Sequence, residues 1–546
     1  MRNADPVSGR IRGSADAEVL RHRRFPQSMG AFPAFPRRTA IEGRGRRGIM
    51  AKFSEWLDGL DYELLHGDPE KVEVGEVIYD SRKAGRGSVF VCMRGSTTDS
   101  HSFLQKVIAE GTEAIVVEEE SSMLPVDLRE IYEGIAVVRV PSSREALAKL
   151  SAARFGFPSR EMRVIAVTGT KGKTTTAHMI RSILESAGES CGLIGTTGVD
   201  YAGIHEETKN TTPESYELQD LFRRMADRGC GYVVMEASSQ GFKLYRTDAI
   251  DFDYGIFTNI EPDHIGPNEH KDFEEYKYYK SRIFRQSRVG LINRDSPYAE
   301  ELIAGAKCRM YCFGIDKSAD FMAEGIQAVN SPDFVGSEFQ VIGMAKLDVR
   351  LNLPGKYNVY NAMAAISVCS LIGIRNSAIL KALRLIRVNG RMELAFKNDT
   401  MSVIVDYAHN AMGMENLLET LREYHPKRLV VVFGCGGNRS KERRYGMGET
   451  AARLADFSVL TADNSRFERT EDIISDIKSR LVPLGGRYAE IPDRREAIEY
   501  AMKNAEKGDI IAVIGKGHED YNEVNGARTH FLDREVIEET ARKFSL

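Results

Sequence analysis

Short apolar runs alternate with amphipathic stretches along most of the chain, and the pair near residue 165 is the most informative. Val164–Val167 is an apolar run typical of a buried parallel strand. After a short loop, apolar residues recur at helical spacing, at Ala177, Ile180, Ile183, Leu184 and Ala187. Gly188 follows where a C-terminal cap belongs. The pattern therefore predicts a strand, a loop and a helix.

The stretch from Met50 to about Pro158 has the pattern of a small α/β domain. Its apolar runs predict four strands, at Val77–Tyr79, Ser88–Met93, Ala114–Val117 and Ala136–Val140. A helix is predicted near Ser102–Glu110. Taken alone, the polar loops between these strands are most simply interpreted as solvated turns.

A further α/β region is predicted from about Arg387 onwards. Its strands are expected at Ser402–Val405, Arg428–Phe433, Phe457–Leu460 and Asp509–Ile514. Helical stretches separate them, which is a doubly wound pattern. Each strand is followed by a polar motif, and parallel sheets place such loops on one rim, where ligands bind. Four polar strand ends together indicate a binding site.

Length and charge limit the classes of function that the chain can have. The chain has 546 residues, 42% of them hydrophobic, which is enough for two to four domains. A net charge of -4 gives no reason to expect nucleic acid or an anionic membrane as partner, and no apolar run is long enough to insert into a bilayer. Seven cysteines without a C-x-x-C pair indicate reduced thiols, so we expect a cytoplasmic protein.

Residues 1–49 differ from the remainder, with 11 arginines, 4 acidic residues and no lysine. They lack a core-forming pattern, so we expect a disordered extension. An Arg-rich transit peptide is one interpretation, but Pro26, Pro33 and Pro36 interrupt any amphipathic helix. We favour the other, in which the extension lies upstream of the true start at Met50.

The glycine loop Gly169-Thr170-Lys171-Gly172-Lys173-Thr174-Thr175 carries the first chemical signal. Bare backbone N–H groups and a helix N-terminus suit the phosphates of a nucleotide triphosphate, Lys173 adds charge, and Thr174 can ligate Mg²⁺. Val167 stands where the usual Walker pattern has a glycine, so the loop is a shortened variant. An ordinary strand-to-helix turn is the alternative.

Other polar residues are ambiguous when taken singly. Glu236 ends a buried strand, where a carboxylate without a partner is costly, so a metal is the natural explanation. Asn210, Thr211 and Thr212 precede a helix and suit either a polar substrate or helix capping.

Three further positions have structural alternatives. His264, alone, would more often be structural, and Lys280, alone, would be an exposed helical lysine. For Asn358 and Asn361, in the first turn of a small-residue helix, capping competes with ligand binding.

Together these motifs resemble the Mur ligase family, whose superfamily also includes the folylpolyglutamate synthases. The resemblance implies an α/β, three-domain fold: an N-terminal UDP-substrate-binding domain at 50–158, a central P-loop ATPase-like ATP-binding domain at 159–386, and a C-terminal Rossmann-like amino-acid-binding domain at 387–546. A folate-type ligase would lack the first domain and the Asp463–Arg466 motif, which disfavours it.

The resemblance also implies roles for individual residues. Nucleotide contacts are implied for Gly169 to Thr175, Asn358, Asn361 and Asp406. UDP-substrate contacts are implied for Ser81, Ser96, Thr97, Thr98, Asn210, Thr211, Thr212, Ser238 and Arg246. Amino-acid contacts are implied for Arg439, Asp463, Asn464, Ser465, Arg466, Gly515 and Glu519. Leu244, Ala411 and Ser465 depart from the family pattern.

The catalytic set implied is Lys173, Glu236, His264, a carbamylated Lys280 and Arg391, with Mg²⁺ held by Thr174, Glu236, His264 and Lys280. A free ammonium beside Mg²⁺ would repel it, whereas a carbamate supplies anionic oxygens.

The resemblance implies a reaction that joins a diamino acid to UDP-N-acetylmuramoyl-L-alanyl-D-glutamate with ATP, through an acyl phosphate, in peptidoglycan synthesis. Arg466 favours meso-2,6-diaminopimelate over L-lysine, because a guanidinium can pair with the distal carboxylate that lysine lacks. A non-catalytic nucleotide-binding module is the alternative of another class. We expect a monomer.

Overall fold

The computed structural model describes residues 50–546 except 96–97, 119–123, 125, 128–129, 131–133, 267–268 and 332–333. The predicted extension, residues 1–49, and the predicted substrate contacts Ser96 and Thr97 therefore lie outside the described residues. Within the part of the chain that the structure describes, no helix is long and apolar enough to cross a membrane.

The first region is built on a five-stranded sheet in the order β2-β7-β6-β5-β4. The strands of the region are β1 Ala51–Lys52, β2 Glu63–His66, β3 Glu73–Val74, β4 Glu76–Ile78, β5 Ser88–Val91, β6 Ala114–Val117 and β7 Ala136–Arg139. Its helices are α1 Phe53–Trp56, α2 Leu104–Ala109 and α3 Ser143–Arg154. The four predicted strands are confirmed to within two residues at their ends, and β2 adds an antiparallel edge that the apolar pattern did not indicate.

The central region contains an eleven-stranded sheet in the order β11-β10-β9-β12-β8-β13-β14-β15-β16-β17-β18. The strands are β8 Arg163–Thr168, β9 Cys191–Gly195, β10 Gly198–Tyr201, β11 Ile204–Glu206, β12 Tyr232–Glu236, β13 Phe252–Phe257, β14 Ser287–Asn293, β15 Arg309–Gly314, β16 Phe321–Ser331, β17 Phe334–Gly343 and β18 Leu347–Leu351. The helices are α4 Lys173–Ser186, α5 Ser215–Asp227, α6 Ser239–Lys243, α7 Phe273–Ser281, α8 Ile283–Gln286, α9 Ala299–Ile303, α10 Lys356–Ile372 and α11 Asn376–Leu385.

The predicted strand–loop–helix unit lies at the middle of this sheet. Strand β8 pairs in parallel with β12 on one side and β13 on the other, and helix α4 ends before Gly188, whose φ is 88°. The apolar residues of β8 alternate between two cores, one on each face of the sheet. Because β8 is flanked by parallel strands, the residues that follow β12 and β13 lie beside the glycine loop.

The third region has a six-stranded sheet in the order β19-β20-β24-β21-β22-β23 and a separate hairpin, β25-β26. The strands are β19 Glu393–Lys397, β20 Met401–Asp406, β21 Leu429–Phe433, β22 Phe457–Leu460, β23 Tyr488–Glu490, β24 Asp509–Ile514, β25 Tyr521–Val524 and β26 Ala527–His530. The helices are α12 Ala411–Arg422, α13 Lys441–Leu454, α14 Thr470–Leu481, α15 Arg494–Lys503 and α16 Asp533–Phe544.

The four predicted strands of this region form its parallel centre, with β24 between β20 and β21. The polar motifs after them therefore meet on one rim, as predicted. Strands β19 and β23 and the β25-β26 hairpin were not predicted, because they are short or carry no apolar run.

Candidate active site

The glycine loop adopts a conformation that two glycines permit. Gly169 has φ 152°, and a Cβ there would lie 1.9 Å from Thr258 Oγ1. Gly172 has φ 84°, and a Cβ there would lie 2.3 Å from Asn361 Oδ1. Any side chain at either position would collide with a buried neighbour, so the loop can pass this close only as bare backbone.

The residues after β13 hold the loop from one side. Asn259 O accepts from Thr170 N at 2.9 Å, and Asn259 Oδ1 accepts from Lys171 N at 2.9 Å. Thr258 Oγ1 donates to the Lys171 carbonyl at 2.7 Å. The loop is therefore fixed by hydrogen bonds of its own backbone before any ligand enters.

Two lysines converge on the same backbone carbonyl of this loop. Lys173 Nζ donates to Gly169 O at 2.9 Å and to Thr170 O at 3.1 Å, and Lys280 Nζ donates to Gly169 O at 2.6 Å. Burial lowers the pKa of Lys173 and lowers the pKa of Lys280 well below its ordinary value, with Lys173 adding repulsion to the latter. Lys280 is 1% exposed, so the alternative of an exposed helical lysine is wrong.

Glu236 lies at the end of β12, 1% exposed, beside the start of helix α4. Its Oε2 accepts from Thr174 Oγ1 at 3.0 Å, and its Oε1 accepts from Thr196 N at 2.9 Å. These protein donors satisfy the buried carboxylate. A hydroxyl and a carboxylate oxygen side by side are also donors of the type that Mg²⁺ prefers, so the pair fits that ion.

His264 lies further out, with a side chain 49% exposed and a φ of 53°. Its Nδ1 is 3.0 Å from Glu269 Oε1, and its ring is 6.1 Å from that of Tyr276. Among the described residues, no group of three or more His, Cys, Asp or Glu is arranged to hold a metal. The predicted role of His264 as a metal ligand stays a prediction.

A cleft joins the glycine loop to the third region. Lys171, Gly172 and Thr175 line it from the central region, and Arg391 and Asp406 line it from the third. Asn358 and Asn361 lie in its wall, and Asn361 Oδ1 accepts from Thr176 Oγ1 at 3.3 Å.

Helix capping does not account for the two asparagines. The N-cap of α10 is Gly355, without a side-chain cap bond, and Asn358 Nδ2 donates to the Pro354 carbonyl at 2.8 Å. The structure therefore places six of the ten predicted nucleotide residues in the wall of one cleft: Lys171, Gly172, Thr175, Asn358, Asn361 and Asp406.

The predicted UDP-substrate residues are only partly assembled. Thr212 Oγ1 bonds with Ser238 Oγ at 3.1 Å, Thr211 Oγ1 is 2.9 Å from Thr196 Oγ1, and Arg246 pairs with Glu214 at 2.6 Å. Helix α5 begins at Ser215 without a side-chain cap, so the capping alternative for Asn210, Thr211 and Thr212 is wrong. Ser81 begins a short 3₁₀ turn, and Thr98 is exposed.

Asn210 faces a different space from the other members of that set. It lines a cleft of about 360 Å³ with Tyr79 of the first region and with acidic residues that include Glu214 and Glu217. Tyr79 Oη donates to Glu217 at 2.5 Å across this boundary. The first and central regions therefore meet beside Asn210.

The predicted amino-acid residues cluster on the rim of the third region. Asn464 Nδ2 donates to Glu519 Oε2 at 2.7 Å. Asp463 lies so close to Gly515 that a Cβ added there would be 2.8 Å from Asp463 Oδ2. Asp463, Asn464 and Ser465 are buried, whereas Arg439 is exposed. Burial, with the charge of Asp463, raises the pKa of Glu519.

Arg466 lies on the same rim, with φ 51°. Its Nη1 donates to Gly437 O at 2.8 Å, and its Nε is 3.6 Å from Glu523 Oε2. Glu468 instead pairs with Arg444 at 2.8 Å, so the alternative in which Arg466 pairs with Glu468 is wrong.

Sequence reasoning missed three residues of the site. Lys516 is fully buried and donates to Asn464 Oδ1 at 3.2 Å and to the Tyr521 carbonyl. Thr196 holds Glu236, and Glu523 faces Arg466. The Gly515-Lys516-Gly517 spacing was a usable signal for Lys516, whereas Glu523 reaches the site only through the β25-β26 hairpin.

Comparison with known proteins identifies relatives over most of the chain. The family models "Mur ligase family, catalytic domain", "Mur ligase middle domain" and "Mur ligase, glutamate ligase domain" match residues 73–155, 167–369 and 390–517. The UDP-N-acetylmuramoyl-L-alanyl-D-glutamate--2,6-diaminopimelate ligase of Clostridium perfringens is 39% identical over 489 residues, covering 88% of this chain and 97% of that protein. The ligase of the same name from Caldanaerobacter subterraneus is 38% identical over 485 residues, covering 88% and 97%.

Solved structures agree with this comparison. One, also described as a UDP-N-acetylmuramoyl-L-alanyl-D-glutamate--2,6-diaminopimelate ligase, superposes with a TM-score of 0.68 at 28% identity and covers 91% of this chain and all of that one. The folylpolyglutamate synthase of Mycobacterium tuberculosis, at 19% identity and a TM-score of 0.53, covers 67% of this chain and 91% of its own, and shows the fold alone.

Proposed function

Because this chain belongs to the Mur ligase family, which makes it an ATP-dependent ligase with that family's three-domain α/β fold, we propose that it joins meso-2,6-diaminopimelate to UDP-N-acetylmuramoyl-L-alanyl-D-glutamate. The bond formed is an amide at the D-glutamate carboxylate. The reaction serves peptidoglycan synthesis, and its site of action is the cytoplasm. The domain limits proposed are 50–158, 159–386 and 387–546.

One observation carries the proposal. The Arg391 guanidinium lies 4.4 Å from the centre of the Tyr407 ring, and Tyr407 Oη donates to Glu519 Oε1 at 3.4 Å. Arg391 lines the nucleotide cleft, whereas Glu519 belongs to the cluster for the amino acid. A short chain of side chains thus links the two sites and keeps them close together, and a reaction that uses ATP to activate a carboxylate for an amine requires that closeness.

In the first step, the substrate carboxylate attacks the γ-phosphorus of ATP. The bond from that phosphorus to the bridging oxygen breaks, ADP leaves, and an acyl phosphate forms. Lys173 and Arg391 carry the positive charge that offsets the charge on the transferring group, as positioned cations do in other phosphoryl transfers. The bare backbone of the glycine loop holds the phosphates that remain.

Thr174 and Glu236 would hold Mg²⁺, with His264 and carbamylated Lys280 as candidates for a second site. The ion supplies neutralisation of phosphate charge. Buried Lys280 is suited to carbamylation, because the uncharged amine is the form that adds CO₂ and its surroundings disfavour the ammonium.

In the second step, the amine attacks the acyl carbon, the carbon–oxygen bond to phosphate breaks, and the amine proton is lost. Asp463 and Glu519 place negative charge where the ammonium groups of the amino acid enter. Arg466 would pair with the distal carboxylate of diaminopimelate, and that carboxylate would take the place of Glu523 beside the guanidinium.

A phosphate-release assay tests the proposal. We expect release only when ATP, Mg²⁺, UDP-N-acetylmuramoyl-L-alanyl-D-glutamate and diaminopimelate are all present, with an equal yield of the tripeptide product by mass spectrometry. Nucleotide binding without release would instead identify a non-catalytic module. Release with L-lysine in preference to diaminopimelate would leave the ligase reaction standing and overturn the choice of amino acid.

A further inference from the structure

A second cavity lies between the central and third regions, apart from the nucleotide cleft. Its volume is about 260 Å³. The walls come from the end of β18, from the last turn of α11 and the linker after it, and from the start of β19. Phe334, Leu353 and Ile386 supply buried apolar surface. None of the residues predicted from the sequence for the reaction lines this cavity.

Three arginines lie in its wall. Arg384 and Arg387 are exposed at the end of α11, and the structure gives their side chains no hydrogen bond or ion pair with any residue it describes. The Arg350 guanidinium lies 4.2 Å from the centre of the Phe334 ring, and its buried Nε has no hydrogen-bond partner among the described residues, with Glu338 Oε1 3.4 Å away. Within the described part of the chain, two guanidinium groups without a partner and a third with a distant one, Glu338, therefore line one space.

Glu393 is the acidic residue among the described residues of the wall, and its carboxylate is already paired elsewhere. Glu393 is 4% exposed, and its Oε2 accepts from Gly390 N at 2.7 Å while its Oε1 accepts from Arg534 Nη1 at 3.3 Å. Both oxygens are thus already paired with groups other than the three arginines. Among the residues that the structure describes, the three arginines outnumber this one carboxylate in the wall.

Asn352 fixes the position of the linker. Its Nδ2 donates to Ile386 O at 3.1 Å, and its backbone N donates to Leu383 O at 3.1 Å. The two acceptors, Leu383 and Ile386, lie on either side of Arg384 in the sequence, and Arg387 follows Ile386 directly. The backbone that carries these arginines is therefore held against the sheet, which lowers the entropy cost of gathering them around a ligand.

We propose that this cavity binds a small phosphate monoester with a compact apolar group. Guanidinium groups match phosphate oxygens through paired N–H donors, which explains why arginine is favoured at phosphate sites. Leu385 and Leu394, which line the cavity and keep accessible surface, provide the contact for the apolar group, and the volume excludes a long acyl chain. The site differs from the nucleotide cleft, which is lined by a separate set of residues.

Calorimetric titration of the full chain with phenyl phosphate tests the proposal at constant ionic strength. The test variant is Arg384→Gln with Arg387→Gln. The matched control is Arg228→Gln with Arg375→Gln, which removes the same charge from two exposed arginines outside the cavity. Thermal melting confirms that both variants remain folded.

We expect phenyl phosphate to bind the unaltered chain and the control alike, and to bind the test variant at least tenfold more weakly. Phenyl phosphate should also bind the unaltered chain more tightly than inorganic phosphate does. Equal affinity for both double variants would place the ligand elsewhere, including at the glycine loop, and would overturn the proposal. So would the lack of measurable binding, or equal affinity for inorganic phosphate.

Discussion

The glycine loop and the Asn464–Arg466 loop both follow buried parallel strands, yet they are held by different contacts. The glycine loop bonds to Thr258 and Asn259, which follow the adjacent strand of the same sheet. The second loop also bonds to the residues after its adjacent strand, where Asn464 O accepts from Gly437 N at 2.9 Å, but its Arg466 backbone adds bonds to the β25-β26 hairpin, at 2.9 Å to Glu523 O and 2.7 Å from Asn525 N. All residues of β26 are exposed.

We infer from this difference that the nucleotide half of the site governs the reaction rate and the amino-acid half governs which amino acid is used. Contacts inside a close-packed sheet fix the nucleotide half, so changes there should remove activity with any amino acid. A surface hairpin supports the amino-acid half, and such segments vary more readily than a core does. We therefore expect variants of the first half to lose rate and variants of the second half to change selectivity.

The largest effect is expected at Lys173. Lys173→Met should lower kcat/KM by about 10³-fold with every amino acid, because it removes a partly buried cation beside the transferring phosphate. Lys381→Met is the control, since Lys381 is exposed on α11 and does not line the nucleotide cleft, and it should lose less than about tenfold. Steady-state rates with both amino acids measure this. Equal losses in the two variants would contradict the role assigned to Lys173.

The second largest effect is expected at Lys280. Lys280→Ala should lower kcat/KM by about 10²-fold. Lys277→Ala is the control on the same helix, because Lys277 pairs outward with Glu301 at 2.6 Å. Carbon-13 NMR with labelled bicarbonate should give a carbamate signal in the unaltered chain and in Lys277→Ala, and none in Lys280→Ala. Full activity after removal of bicarbonate and CO₂ would show that the free amine suffices.

The sequence was informative wherever a function depends on one short stretch of chain. The glycine loop, helix α4 and the four parallel strands of the third region follow from apolar spacing, because buried strands and amphipathic helices leave a periodic pattern. Lys280 and Asn361 were placed by family resemblance, since their closeness to Gly169 and Gly172 depends on the order of the strands.

Other features could not be predicted from local pattern. Glu523 is one polar residue in a short hairpin, and only the docking of that hairpin brings it to Arg466. The arginine cavity likewise joins residues more than thirty positions apart. Such contacts depend on tertiary packing, which periodicity does not record.

Arg466 tests the second half of the site directly. Arg466→Ala should lower the preference for diaminopimelate over L-lysine by about 10²-fold, because a charge pair near 4 Å is on the order of 4 kcal/mol before desolvation. Activity with saturating L-lysine should change little. Competition between the two amino acids measures the ratio, and Arg469→Ala, an exposed arginine three residues along the chain, is a control for local charge. An unchanged ratio would remove the basis for assigning diaminopimelate.

The smallest effect is expected at Glu523. Whether KM for diaminopimelate falls or rises there distinguishes two roles for this carboxylate. In the free enzyme this carboxylate lies 3.6 Å from Arg466 Nε and 3.7 Å from Arg528 Nη2, so it competes with an incoming carboxylate for the first guanidinium. A partly exposed ion pair of this kind is worth about 1 kcal/mol or less, so Glu523→Gln should lower KM for diaminopimelate by up to about fivefold, with kcat unchanged. Arg528→Gln should act in the opposite direction, because Glu523 then has Arg466 as its main cationic partner. KM values from initial rates for the two variants decide the matter. If KM rises in Glu523→Gln, the carboxylate contacts the amino acid and does not compete with it, and the hairpin then belongs to the binding site itself.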